Sequence, residues 1–118
     1  MDIKKSSFQN NRFSSQNWQV YEIAIKKLRL ALSRGLTYDQ ACNTLTDIDH
    51  EMKSFITEDF LKILIAEEHF GSGVEIDDMA LLLGLPYERL EACRTAMIEE
   101  VDQEIKEIYH HKGPDATQ

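Results

Sequence analysis

The chain has 118 residues, 42% of them hydrophobic and 29% charged, with only 2 Pro and 5 Gly, which fits one compact domain and excludes collagen-like and low-complexity classes. A domain of this size buries roughly two-thirds of its unfolded surface and needs no metal or disulfide to fold. The net charge of −8 is unevenly spread: residues 1–35 hold seven basic and two acidic side chains (+5), whereas residues 36–118 hold six basic and nineteen acidic ones (−13).

Residues 1–14 are polar and basic and read as a flexible tail. Ser14 or Ser15 suits the cap of a first helix over Gln16–Arg34, stopped by Gly35. Its apolar stripe is Trp18, Tyr21, Ala24, Ile25, Leu28, Ala31 and Leu32. Ile23 and Leu30 fall on the opposite side with Lys26, Lys27 and Arg34, which hints at a partner or a neighbouring subunit. Thr37 opens a second helix, and Gln40 completes a capping box. Tyr38, Ala41, Cys42, Leu45, Ile48 and Met52 would line one face of it. Thr57 reads as the start of a third helix, whose Phe60, Leu61, Ile63, Leu64 and Ile65 make it central, with Gly71-Ser72-Gly73 as its end. Ile76–Leu83 forms a short fourth helix closed by Gly84. Pro86 suits the first turn of a fifth, predicted to run to about His111 before Gly113-Pro114.

No segment alternates as a strand would. The expected fold class is all-α: about five helices in an orthogonal bundle, with a long C-terminal helix. The expected organisation is a single domain over 15–112 and a disordered tail over 113–118. No run of about 18 apolar residues offers a membrane span, and Met1–Ser7 has no apolar stretch behind its charges, unlike a secretory signal. Cys42 and Cys93 have no Cys-x-x-Cys spacing and read as small core residues rather than a disulfide. The expected address is a reducing cytoplasm.

Residues 76–95 read Ile-Asp-Asp-Met-Ala-Leu-Leu-Leu-Gly-Leu-Pro-Tyr-Glu-Arg-Leu-Glu-Ala-Cys-Arg-Thr. Ala80 supplies a small residue for a close helix crossing, and Gly84 a residue tolerant of positive φ in the turn. Met79, Leu83, Leu85, Leu90 and Cys93 supply the apolar anchors. This segment resembles the helix-turn-helix superfamily, and the resemblance identifies no narrower family. It implies a small prokaryotic or phage regulator that binds duplex DNA as a dimer.

By that analogy residues 86–95 are the recognition helix, with Tyr87, Glu88, Glu91, Ala92 and Thr95 toward the bases. Lys4, Lys5, Arg12, Lys26, Lys27, Arg29, Arg34, Arg89 and Arg94 are available for phosphates. Two carboxylates facing a polyanion oppose this, although Glu accepts a hydrogen bond from cytosine. The alternative is an acidic protein-interaction module on the same scaffold: an adaptor, an antitoxin-like inhibitor or a nucleic-acid mimic.

Leu90, Cys93, Met97, Val101, Ile105 and Ile108 are spaced 3, 4, 4, 4 and 3 apart, with acids between them. A tri-helical core is complete by about residue 98. Val101, Ile105 and Ile108 therefore need another surface, either the first helix or a second copy of the chain. Catalysis finds no support. Asp47, Asp49, His50 and Glu51 do not converge from a helix, His110 and His111 are adjacent, and Gly71-Ser72-Gly73 lacks the length and lysine of a phosphate loop. No enzyme, cofactor, metal or small-molecule substrate is expected.

Overall fold

The computed structural model describes the backbone of residues 15–117 and the side chains of residues 15–108. Among the described residues there are five α-helices and no strand: α1 Ser15–Ser33, α2 Tyr38–Cys42, α3 His50–Leu64, α4 Ile76–Leu83 and α5 Tyr87–Thr117. A π-helical segment, Ile65–Gly71, continues α3. No helix among the described residues is long and apolar enough to cross a membrane. The expected tail over 1–14 lies outside the described residues. The chain forms two compact units that divide between Phe60 and Leu61.

In the first unit, α1 buries Ala24, Leu28 and Ala31, the centre of its expected stripe. Its end is a Schellman motif. Gly35 takes φ 93°, its N–H reaches the Leu32 carbonyl at 2.9 Å, and the Leu36 N–H reaches that of Ala31 at 3.2 Å. Thr37 and Gln40 cap α2 reciprocally, each side chain accepting from the other's backbone N–H.

The sequence expectation of one helix face from Tyr38 to Met52 is corrected here. α2 stops at Cys42, where Thr44 donates its hydroxyl to the Ala41 carbonyl at 2.6 Å. α3 then starts at His50, not at Thr57, because the Asp49 carboxylate accepts from the Met52 N–H at 3.3 Å. Thr57 lies inside α3 and donates its hydroxyl back to the Lys53 carbonyl at 3.0 Å. Tyr38, Ala41, Leu45, Ile56 and Phe60 are buried with α1's stripe. The Tyr38 and Phe60 rings stack, and the Tyr38 hydroxyl donates to the Thr57 carbonyl. The Tyr21 hydroxyl donates to the Asp59 carboxylate. Burial, reinforced by that carboxylate, holds the Tyr21 phenol well above the ordinary tyrosine range.

In the second unit, Leu61, Leu64, Ile65, Ile76, Met79, Ala80, Leu83, Leu85 and Leu90 are buried. The wide π turn closes with the Val74 N–H on the Glu68 carbonyl at 2.8 Å, while the His69 ring nitrogen Nδ1 meets the Val74 carbonyl, also at 2.8 Å. α4 ends as α1 does. Gly84 adopts φ 70°, ψ 34°, and the Leu85 N–H returns to the Ala80 carbonyl at 3.0 Å. α4 and α5 are thus two helices joined through a left-handed glycine, and Pro86 precedes the first residue of α5.

α5 extends to Thr117, past the expected stop at about His111 and through the Gly113-Pro114 pair. Proline removes one ladder hydrogen bond there, with only three residues of helix left beyond it. Cys42 and Cys93 are half-buried rather than fully buried.

Candidate functional site

The outward face of the α4–α5 pair carries the proposed base-contact residues together with Arg89 and Arg94. Tyr87, Glu88, Arg89, Ala92 and Thr95 are exposed, while Glu91 and Arg94 are half-buried. Helical geometry places Tyr87, Glu91 and Arg94 in one row, four and three residues apart.

The three are joined. Arg94 grips Glu91 with both arms of its guanidinium, Nη2 to Oε2 at 2.6 Å and Nε to Oε1 at 3.1 Å. The Tyr87 hydroxyl reaches Glu91 Oε1 at 3.5 Å. A planar fork on a carboxylate is the strong form of this pair. The hydrogen bond from Arg94 holds the Glu91 carboxyl below its ordinary range. The Glu91 charge in turn pushes the Tyr87 phenol up, with smaller contributions from burial and from Asp77 on α4.

The electrostatic result is local and acidic. Arg94, proposed as a phosphate contact, is engaged by Glu91. Asp77, Asp78 and Glu88 are exposed at the start of the two helices. Beside them α4 presents Leu81 and Leu82 to water, at 81% and 75% exposure. Neither leucine was singled out from the sequence, because an all-apolar Leu81-Leu82-Leu83 run gives no indication of which member faces inward.

Along α5 the burial changes in one step. Leu90 is fully buried and Cys93 and Met97 are half-buried, but every described side chain from Ile98 to Ile108 is exposed. Val101, Ile105 and Ile108 are 56%, 46% and 56% exposed. Ile98 joins them, and sequence reasoning missed it. Glu99, Glu100, Asp102, Glu104 and Glu107 surround this stripe, with Lys106 as the lone base among residues 98–108. Glu100 pairs with Lys62 at 3.5 Å and Asp102 with Lys106 at 3.4 Å.

On α1, Lys26, Lys27 and Arg29 are exposed, as are Ile23 and Leu30, and Arg34 is exposed in the turn that follows. Lys4, Lys5 and Arg12 lie outside the described residues. No group of three metal-ligating side chains converges among the described residues; His50 stands exposed at the start of α3, and the His69 ring lies edge-on to Phe70. No family model, curated protein or solved structure matches this chain.

Proposed function

We propose that the chain is a protein-interaction module that acts as a homodimer, using the α5 stripe Val101, Ile105 and Ile108 together with Ile98. The observation that carries this reading is the run of exposed side chains from Ile98 to Ile108, apolar on one side and acidic around it. Four large aliphatic side chains held in water on one helix face are unfavourable unless something docks there. The test is sedimentation of the full chain. A species of twice the 13.7 kDa chain mass is expected at high micromolar concentration, and a monomer there would refute the dimer.

Duplex binding by a helix-turn-helix regulator is the second reading. The left-handed Gly84 between α4 and α5 and the exposed face of Tyr87, Glu88, Ala92 and Thr95 favour it. The engaged Arg94 and the surrounding carboxylates oppose it, since affinity for duplex DNA comes largely from phosphate neutralisation. A mobility-shift assay with genomic DNA fragments in low-salt buffer decides between them. The interaction reading expects no shifted band. A shifted band whose log–log salt slope is roughly −4 to −5 establishes the regulator instead.

A further inference from the structure

The acidic stripe of α5 calls for a surface that is apolar at its centre and basic at its flanks, and the chain carries one. α1 holds Ile23 and Leu30 seven residues apart on its outward face, 57% and 50% exposed. Lys26 and Lys27 lie on either side of that line, and Arg34 continues it. On α5 the apolar line of Ile98, Val101, Ile105 and Ile108 is flanked in the same way by Asp102 and Glu104. Neither Lys26, Lys27 nor Glu104 forms an ion pair among the described residues, and Asp102 holds only the exposed Lys106.

We infer that the stripe of α5 docks on the outward face of α1 of a second copy, an apolar line against an apolar line with lysines facing carboxylates. This rests on the dimer reading above and names its mating surface. The competing arrangement, α5 against α5, sets Asp102 and Glu104 of each copy beside the same acids of the other. Like charges in that position are repulsive and count against a pairing. An α1-to-α5 contact is heterologous. It occurs twice in a closed two-fold pair and otherwise propagates into larger species. Two such contacts also double the buried area, which matters because one short helix pair falls below the roughly 800 Å² per partner of a standard interface.

The decisive experiment is a charge swap read by sedimentation and light scattering on the full chain. The substitutions are Lys26→Glu with Lys27→Glu in one variant and Asp102→Lys with Glu104→Lys in the other. All four positions are exposed, and circular dichroism and a thermal melt verify that each variant folds. Parent association is expected to weaken as salt rises. Each variant alone is expected to sediment as a monomer, whereas an equimolar mixture associates, because the mixed pair restores an acidic face opposite a basic one at both contacts.

If the Lys26→Glu/Lys27→Glu variant associates as well as the parent, the inference fails while the dimer reading stands. The same holds if the Asp102→Lys/Glu104→Lys variant associates as well as the parent, since an α5-against-α5 contact then only exchanges like acids for like lysines, whereas an α1-against-α5 contact would set lysine against lysine where it had lysine against acid. A monomeric parent removes both. Association of the parent without rescue in the mixture also overturns the inference.

Discussion

α1 and α5 each carry more apolar surface than their own unit buries, and they arrange the surplus differently. In α1 the two surfaces lie back to back. Ala24, Leu28 and Ala31 face the core, and Ile23 and Leu30 face water across the helix. In α5 they follow one another along the axis: Leu90 is buried, and Ile105 and Ile108, on the same side several turns later, are exposed. Periodicity reports that a helix face is apolar and says nothing of where the covering surface ends. That limit is set by neighbouring elements. The charges flanking each surplus face, basic on α1 and acidic on α5, carry the remaining information.

The two sides of α1 are told apart most directly by truncating a leucine on each. Leu28→Ala is expected to cost about 2–5 kcal/mol, because Leu28 is fully buried. Leu30→Ala, two positions away, should stay within about 0.5 kcal/mol in dilute protein. The same contrast holds between Leu90→Ala and Ile105→Ala on α5. Chemical denaturation at low protein concentration measures all four, and equal costs for the paired variants would dissolve the distinction.

A second, smaller effect is expected at the turn that launches α5. Gly84 holds φ 70°, so Gly84→Val should lose about 1–3 kcal/mol to backbone strain. A melt indistinguishable from the parent would mean that the helix pair does not depend on the left-handed turn.

The first unit is also distinguished by the half-buried phenol of Tyr21 beside a carboxylate. Tyr21 is held neutral by burial and by Asp59, so its folded pKa lies above its unfolded one. Its contribution is therefore complete below about pH 10 and is lost as pH rises through the folded value. Tyr21→Phe should cost about 1 kcal/mol at neutral pH and flatten the loss of melting temperature above pH 10. A parallel decline in parent and variant would show that the phenol is not the titrating group.

The smallest effect belongs to the second unit. The Glu91 carboxyl is depressed by Arg94, so what it contributes is present above the unfolded glutamate pKa and disappears as pH falls through the lower folded value. Glu91→Gln should leave a melt less sensitive to acid than that of the parent. An unchanged acid limb would mean that the fork is too solvated to matter.

Much of this was legible in the sequence, for local reasons. Gly35 and Gly84 mark helix ends because few other residues take the left-handed turn, and Thr37 with Gln40 forms a cap from four consecutive positions. The buried stripe of α1 and the loss of cover near residue 98 also follow from pattern and length. The break between α2 and α3 was hidden because threonine serves two purposes. At Thr37 the hydroxyl accepts from a helix N-terminus; at Thr57 it donates to a carbonyl one turn back. The Arg94–Glu91 fork was overlooked because a three-residue spacing permits the pair without requiring it. Leu81, Leu82 and Ile98 escaped notice because each has an apolar neighbour, and only packing decides which side chain turns inward.

The π-helical segment Ile65–Gly71 has a consequence for motion. Its hydrogen bonds span one residue more than those of α3 before it, and such wide turns are rare and poorly propagated. Ile65 is fully buried at its start, whereas Ala66, Glu67, Glu68 and Phe70 stand in water. Backbone amides there should open to solvent at a lower free energy than those of Ile56–Leu64, as cooperative units with few buried contacts do. Hydrogen exchange would then record a boundary of protection within one continuous rod, placed by its winding rather than by any loop.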